Sequence, residues 1–188
     1  MGSLDQLDQH EALRAAVAAI LANIDPQPKR PGIAETPDRV AKAWKFWTSG
    51  YKDSAAAILK VFEDGAESCD EMVVVKNIPV YSHCEHHLEA IFGTATVAYL
   101  PTGRIVGLSK ISRLVGMHAR RLQVQERLTA DIATDLFAHL QPLGVGVQIK
   151  ARHMCMESRG ICQQGHHTVT TKLLGVFKDN PETRAEFL

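Results

Sequence analysis

The residues best suited to chemistry form a short cluster, Cys84-Glu85-His86-His87, which is matched far downstream by His153-Met154-Cys155. Cys84 and His87 are three positions apart, so one tight turn can direct both side chains at the same point. Cys155 could supply a third soft ligand from another part of the fold. Three ligands of this kind leave one tetrahedral position of a zinc ion to water, whose pKa zinc lowers to about 7. The pattern favours a catalytic metal site.

Two further histidines, His86 and His153, lie within two residues of the proposed ligands. A hydrolytic site places its proton-transfer groups there. A disulfide between Cys84 and Cys155 is the alternative, although a reducing compartment disfavours it. Four cysteines in 188 residues are too few for a disulfide scaffold. Core histidines do not usually cluster as they do from Tyr81 to His87, and this density supports the metal interpretation.

A second set of possible ligands follows the downstream cysteine. Cys162, His166 and His167 lie close enough in sequence to Cys155 to form an alternative ligand set. Cys162 is equally suited to be a small packing residue. The two histidines come just before the alternating segment Thr168 to Thr171, where a turn is the better interpretation.

Basic residues at a predicted strand-to-helix junction suggest an anion site. Ser109, Lys110 and Arg113 lie there, with the two cations one helical turn apart. A helix N-terminus offers free N–H groups and a positive dipole end, so this arrangement suits a phosphate; the alternative is a solvated basic helix face. Arg159 adds a cation near the proposed metal. Arg39 could add another, although the sequence gives no reason to bring it close.

Gln125-Glu126-Arg127 lies near the start of a predicted helix. A carboxylate in a pocket can accept two hydrogen bonds from the N–H and NH₂ edge of a guanine. The alternative for Glu126 is a favourable charge in the first helical turn.

Composition bounds the class of protein. The chain is 45% hydrophobic and 22% charged, which suits one globular domain with a modest extension. Lys+Arg and Asp+Glu both number 21, and this zero net charge argues against a general nucleic-acid binder. No apolar run approaches the roughly 18 residues of a membrane span. Residues 1–6 lack the basic and apolar regions of a signal peptide, so a cytoplasmic protein without membrane contact is expected.

The N-terminal third of the chain is predicted to be helical. Residues from Asp8 to Ile24 are rich in Ala and Leu at helical spacing, and the proline-rich segment 25–32 ends this helix as a linker. Thr36-Pro37 predicts the cap and first residue of a second helix that runs to Trp47. A third, short helix is expected from Ser54 to Phe62.

From Met72 onward, alternation of apolar residues predicts strands. Two short strands around a turn are expected at 72–75 and 78–81, and further strands at 91–100, 105–108, 145–151 and 168–177. Helices are expected at 109–115 and 124–140. Strands and helices do not alternate as βαβ units, so the fold class is α+β, with an antiparallel sheet backed by helices.

Taken together, these segments resemble the GTP cyclohydrolase I family. Its motifs stand here in the family's order over about residues 33 to 178: Glu35-Thr36-Pro37-Asp38-Arg39-Val40, Cys84-Glu85-His86-His87, Gly107-Leu108-Ser109-Lys110, Leu122-Gln123-Val124-Gln125-Glu126-Arg127, His153-Met154-Cys155-Met156, Arg159-Gly160 and Thr168-Val169-Thr170. Both cysteines are retained, which resembles the zinc-dependent branch. The loop 161–167 differs from the family's usual pattern.

The resemblance implies a role for each matching residue. It implies zinc ligands at Cys84, His87 and Cys155, and proton transfer by His86 and His153. It implies recognition of guanine by Gln125 and Glu126. It implies that the triphosphate is held by Ser109, Lys110, Arg113, Arg159 and Arg39. The family's sites lie between subunits, which would explain how a distant arginine joins the site.

The resemblance also implies a fold, an assembly and a reaction. Members are toroidal oligomers, decamers, built from a T-fold, so residues 1–70 are expected to form a helical region and residues 71–188 the catalytic T-fold. Zinc-activated water opens the imidazole ring of GTP, C8 leaves as formate, and rearrangement gives 7,8-dihydroneopterin triphosphate, the first step of folate and pterin biosynthesis. Two alternatives are a T-fold relative that acts on another purine or pterin, and a nucleotide-binding protein with a structural zinc that recruits a fourth ligand such as Cys162.

Overall fold

Alternating apolar side chains build the central sheet of the protein. The computed structural model describes residues 8–63 and 68–188. The strands are β1 (Val61–Phe62), β2 (Val73–Cys84), β3 (Ala90–Leu100), β4 (Ile105–Val106), β5 (Leu122–Gln123), β6 (Gly144–His153) and β7 (Thr168–Gly175). The helices are α1 (Gln9–Ile24), α2 (Thr36–Trp47), α3 (Ala55–Ile58), α4 (Leu108–Ala119), α5 (Gln125–Leu140), α6 (Met154–Glu157), α7 (Val176–Asp179) and α8 (Pro181–Phe187).

The main sheet has five strands in the order β5-β2-β3-β6-β7. The pairs β2–β3, β3–β6 and β6–β7 are antiparallel, which confirms the predicted α+β class with an antiparallel sheet. One pairing differs from that prediction, because the two residues of β5 run parallel to the end of β2. This short pairing places Gln123 beside Cys84, and α5 begins two residues later.

Helices α4 and α5 cover one face of the sheet, with α4 packed on β2 and α5 packed on β6 and β7. The apolar stripe predicted on α5 is confirmed, because its four members are completely buried: Leu128, Ile132, Leu136 and Leu140. Each such side chain stabilises the fold by about 1.5–3 kcal/mol through its removal from water. They share one core with Val97 of β3 and Val147 and Ile149 of β6. This core fixes where α5 begins.

The chain divides into two compact units, one ending at Thr48 and one running from Ser49 to Leu188. In the first unit, the two predicted helices are present as α1 and α2 and pack together, and His10 Nε2 lies 2.9 Å from Asp38 Oδ1 between them. The functional division expected at residues 70 and 71 stays a prediction about where the catalytic part begins.

Helix α2 begins one residue earlier than predicted. Thr36 is already helical, and Glu35 precedes the helix in the cap position.

The helix predicted from Ser54 to Phe62 is present only in its first part. Helix α3 is one turn long, and Ser54 Oγ accepts a hydrogen bond from Ala57 N at 3.3 Å. Beyond it the chain is extended and forms β1, which pairs with β4. Val61 and Phe62 have the β-branched and aromatic side chains that favour strands, and a partner strand outweighs the local helical pattern.

The prediction of a turn between residues 75 and 78 is wrong. Strand β2 continues through this point and only its register shifts, because Asn77 adopts a left-handed conformation with φ 59°. Asparagine tolerates that conformation better than most residues, so a bulge replaces the turn. The strand then continues to Cys84.

The last strand ends two residues earlier than the predicted boundary at Phe177. Gly175 has φ 57°, and a Cβ there would lie 2.2 Å from Leu143 O. The chain then turns into α7, which buries Phe177 completely.

Within residues 8–63 and 68–188, no helix has both the length and the apolar character needed to span a membrane. The expectation about a signal peptide concerns residues 1–6, which lie outside this described part.

Candidate active site

Two of the predicted metal ligands lie on a tight turn at the end of β2. Leu88 N donates to Cys84 O at 2.8 Å, and Cys84 N donates back across the turn to Glu89 O at 2.8 Å. Leu88 itself is left-handed, with φ 58°. This turn brings His87 Nδ1 to 3.6 Å from Cys84 Sγ. The side chains of Cys84 and His87 therefore point to one place, as their three-residue spacing predicted.

The third predicted ligand, Cys155, follows strand β6, which is separated from β2 in the sheet by β3. Residue His153 ends β6 opposite Ile91 of β3, and Cys155 follows in the one-turn helix α6. One ligand atom from each of Cys84, His87 and Cys155 lies within 4.8 Å of the other two. Among the residues that the structure describes, the candidate group has these three members and does not include Cys162.

The chemistry of this donor set fits zinc. Two cysteine sulfurs and one imidazole are its usual ligands in proteins, and three of them leave one position open, as catalytic sites do. Cys84 is buried, Cys155 is half-buried and His87 is exposed. A ligand set with this gradient of exposure has one open side.

Charge around the two thiols also favours a cation. Burial raises the pKa of the Cys155 thiol, and the neighbouring Cys84 thiol raises it further. The nearby guanidinium of Arg159 lowers the pKa of Cys155 but does not overcome these effects. The thiolate form of Cys155 is thus unfavourable unless a positive charge lies nearby, and a bound metal ion supplies that charge.

Arg159 lies beside the ligand cluster, as its position in the sequence suggested. Its Nη1 is 3.1 Å from His87 Nε2, although the two residues are 72 positions apart. The side chain thus brings one cation to the exposed side of the cluster.

A cavity of about 200 Å³ opens next to the ligands. It is lined by Cys84, His86, His87, Ile91, Gln123, Val124, Gln125, Glu126, His153 and Cys155. Pockets for whole ligands are usually about 300–1,000 Å³, so this one suits a group the size of a base. The residues predicted to bind the metal, to transfer protons and to bind guanine therefore line one cavity.

The two histidines proposed for proton transfer differ in their surroundings. His86 is exposed, and its Nδ1 lies 3.8 Å from Cys84 Sγ. His153 is half-buried, and its Nε2 lies 2.7 Å from Gln125 Oε1. Burial lowers the pKa of His153, and the Glu126 carboxylate opposes that effect. The buried ring is thus favoured in its neutral form, which can accept a proton.

Gln125 and Glu126 begin α5 and face different surroundings. The Gln125 side chain is 1% exposed, and its amide nitrogen donates to Ile149 O and Thr168 O, both at 3.0 Å. Glu126 is exposed and lines the cavity. The amide hydrogens of Gln125 are thus already shared among protein acceptors, whereas the carboxylate of Glu126 faces the cavity.

Sequence reasoning missed an ion pair that anchors the ligand-bearing turn. Arg127 of α5 donates to the carboxylate of Glu85 and, at 3.0 Å each, to Leu122 O and Gln123 Oε1. The Arg127 guanidinium lowers the pKa of Glu85. Both residues belong to the quoted motifs, and their opposite charges were the signal that could have paired them.

A second missed pair holds the downstream ligand. Arg152 of β6 donates to both carboxylate oxygens of Glu157, and this pair brackets Cys155 in sequence. The Glu157 carboxylate is almost completely buried, and Arg152 lowers its pKa. The guanidinium also lies 5.2 Å from the centre of the Phe92 ring. The turn of chain that carries Cys155 is thus fixed on both sides.

Of the residues predicted to hold the triphosphate, Ser109, Lys110 and Arg113 do not line this cavity. Ser109 and Lys110 lie in the first turn of α4, as predicted, but the lining of the cavity contains neither. Arg113 lines a separate cavity of about 460 Å³ together with Arg120. Arg39 belongs to the first compact unit, where it pairs with Glu35 at 2.5 Å.

Comparison with known proteins relates the sequence of this chain to one family. The sequence model of the family described as GTP cyclohydrolase I matches residues 13–188. A protein of Nitrosospira multiformis named GTP cyclohydrolase 1 is 60% identical over 169 residues, which cover 90% of this chain and 88% of that protein. One of the same name from Janthinobacterium sp. is also 60% identical, over 90% of this chain and 85% of its own. The human protein of that name is 46% identical over 94% of this chain and 70% of its own length.

Proposed function

Because the chain belongs to the GTP cyclohydrolase I family, we propose that it opens the imidazole ring of GTP and releases C8 as formate. The remaining atoms rearrange and close into the ring of 7,8-dihydroneopterin triphosphate, which is the entry to folate and pterin biosynthesis. The observation that carries this proposal is the meeting of a Cys-His-Cys ligand group, two further histidines and a carboxylate in one cavity.

Cys84, His87 and Cys155 would hold the metal ion, which we propose to be zinc. When bound, zinc supplies an activated water at neutral pH and so a nucleophile for C8. Two reduced thiols are needed for this, which favours action in the cytoplasm, where thiols stay reduced.

His153 and His86 would move protons during the two hydrolytic stages and the later rearrangement. Ring opening needs a proton on the departing nitrogen, and formate release needs a second one. A neutral imidazole accepts and returns protons near pH 7, and such groups contribute about 10²–10⁴-fold to rates. Both rings line the cavity that contains the ligands, as this role requires.

Glu126 would recognise the guanine edge. Its carboxylate can accept from the N–H and NH₂ groups of the base in a bidentate arrangement. The first-turn N–H groups of α5 have no partner within the helix and point out of its N-terminus, so they offer donors for the base oxygen. The expected role of Gln125 would then be met by its backbone.

The triphosphate would be held by Arg159 of the same chain and by Ser109, Lys110, Arg113 and Arg39 contributed by neighbouring copies. This division is supported by the small cavity, which has room for a base, and by the location of the α4 residues outside its lining. We therefore propose a toroidal T-fold homo-oligomer, a decamer as the family resemblance implies, whose sites lie between subunits.

One assay tests this function directly. Purified protein is incubated with GTP, and formate and dihydropterin are followed together, with and without a zinc chelator. Both products are expected, and both should disappear on chelation. His153→Ala should keep its zinc and lose turnover by about 10²-fold or more.

The possible failures differ in meaning. Formate without dihydropterin would show that the reaction stops before ring closure. Neither product from zinc-loaded protein would refute the proposed reaction and favour a nucleotide-binding protein with structural zinc, and turnover of another purine or pterin in place of GTP would assign a different substrate.

A further inference from the structure

We propose that the Gln125 side chain is a positioning group that holds His153 in a single tautomer, with its proton on Nε2. This proposal rests on the proposed function, in which His153 transfers protons. It differs from the role that the family resemblance implies, in which Gln125 reads the base. The structure favours it because every hydrogen-bonding group around the buried amide has one possible direction.

The orientation of the amide follows from its partners. Gln125 Nε2 lies 3.0 Å from both Ile149 O and Thr168 O, which are backbone carbonyl oxygens and can only accept. If the amide were reversed, its oxygen would face two other oxygens in a buried site, at a cost of several unsatisfied acceptors. The NH₂ group must therefore face the strands β6 and β7, and the oxygen must face His153.

Two threonine hydroxyls extend this network and close it. Thr129 Oγ1 donates to Gln125 O at 2.7 Å, so its own proton is used. Thr170 Oγ1 lies 2.6 Å from Thr129 Oγ1 and must donate to it. Thr170 Oγ1 can then accept from Gln125 Nε2, which is 3.1 Å away and shares its two hydrogens among this hydroxyl and the two carbonyls. The two backbone carbonyls and Gln125 O, which can only accept, set the direction of these bonds.

The same logic sets the proton on His153. Gln125 Oε1 has no hydrogen and lies 2.7 Å from His153 Nε2, so Nε2 must be the donor. In the neutral ring, Nδ1 is then the nitrogen with a free lone pair, and it is the one that can accept a hydrogen bond from substrate or water. Gln125 thus acts through His153, in the way that second partners orient imidazoles elsewhere.

The experiment reads the tautomer itself. Protein labelled with ¹⁵N-histidine and loaded with zinc is studied by solid-state NMR at about pH 8, where an imidazole is normally neutral. Protonated and unprotonated ring nitrogens resonate in separate ranges, and His153→Ala identifies the signals of this residue. Wild-type His153 is expected to show a protonated Nε2 and an unprotonated Nδ1. The reverse pattern would overturn the proposal without any variant being made.

Variants then test the link to Gln125. Gln125→Asn keeps the amide but is one methylene too short to span the strands and the ring, so His153 should show a mixture of tautomers. Thr170→Val is the matched control, since it breaks the same network while the two carbonyls still fix the amide. It should keep the wild-type His153 spectrum. A wild-type spectrum in folded Gln125→Asn would overturn the proposal.

Kinetics separate positioning from recognition of the base. Gln125→Asn should lower kcat by about 10–100-fold while KM for GTP changes by less than about threefold. The preference for GTP over ITP, which lacks the 2-amino group, should stay the same. Glu126→Gln should instead lose much of that preference, because its carboxylate would meet this edge. A Gln125→Asn enzyme with normal kcat and weakened GTP preference would overturn the proposal.

Failure of the proposed function looks different. A wild-type protein that shows the Nε2-protonated ring, and loses it in Gln125→Asn, but does not turn over GTP would refute the reaction and leave the positioning intact.

Discussion

The carboxylate of Glu85 and the guanidinium of Arg127 form an ion pair between the ligand-bearing turn and the first turn of α5. Arg127 also donates to Leu122 O and Gln123 Oε1, so the turn, the short strand β5 and the helix are joined by one side chain. Helix α5 in turn carries Glu126 and Gln125. One arginine therefore connects the turn that carries two proposed metal ligands to the helix that carries the residue proposed to meet the base.

Replacing Arg127 should weaken metal binding. Arg127→Met keeps an unbranched apolar stem but removes every hydrogen bond to the turn, and outer partners of ligands usually matter by about 10–100-fold in metal affinity. Competition with a chelator measures the zinc dissociation constant. Arg14→Met is the control, because Arg14 pairs with Glu11 on the exposed surface of α1, where ion pairs contribute little. Equal zinc affinity in both variants would contradict the anchoring role.

Loss of either thiol should empty the site, whereas loss of the exposed thiol should not. Cys155→Ser removes a soft ligand within the 4.8 Å group, so zinc content should fall from near one per chain toward zero. Cys162→Ser should retain zinc, since Cys162 is exposed and its Sγ faces Gly160 O at 3.7 Å. Elemental analysis of the purified variants measures both. Loss of zinc in Cys162→Ser would indicate a closed, four-ligand structural site.

Sites between subunits predict recovery of activity in mixed oligomers. Cys155→Ser lacks a metal ligand and Lys110→Ala lacks a proposed phosphate cation, so each should be inactive alone. In a randomly mixed equimolar oligomer, about a quarter of the sites combine one intact half from each neighbour. Co-expression with two affinity tags allows the mixed oligomer to be isolated and assayed for formate. Cys84→Ser mixed with Cys155→Ser is the control and should stay inactive; the same result for the first pair would place all the groups in one chain.

Stability should fall on mild acidification because of His118. This side chain is buried, and burial lowers its pKa, although Asp135 at 2.9 Å opposes the effect. A lowered pKa means that the unfolded chain binds the proton first. The contribution of His118 to the free energy of unfolding is therefore fully present above about pH 6.5. It is lost as the pH falls toward the pKa that His118 has in the folded state.

His118→Gln removes this group, so the decrease in Tm between about pH 7.5 and pH 5.5 should be smaller than in the wild type. Thermal unfolding by circular dichroism at several pH values measures the difference. An unchanged slope would show that His118 does not contribute.

Local patterns predicted the parts of the molecule that depend on local physics. The apolar stripe of α5 and the alternation of β3 identified long elements correctly, because each presents one face to a single core. The three-residue spacing of Cys84 and His87 worked for the same reason, since one turn decides it. Two-residue strands such as β1 and β5 were missed because only their partners make them strands.

The missed details of the site are tertiary in the same sense. Nothing near Gln125 in the sequence shows that its amide meets Ile149 and Thr168 from two other strands. Helix position alone left both residues of the Gln-Glu pair equally free to meet a base. Gln125 is buried and Glu126 is exposed, and this difference depends on the complete sheet.

The wide separation of the ligands along the chain also bears on how the protein folds. His87 and its neighbour Arg159 are 72 residues apart, and the pairing of β3 with β6 brings their two segments together. Contacts of such sequence separation form late, since the loop between them must first be closed. We expect refolding to proceed at the same rate whether zinc is present from the start or added at the end, and a zinc-dependent rate would contradict this order. The metal would then bind after the sheet has formed, and it would not be the nucleus around which the sheet assembles.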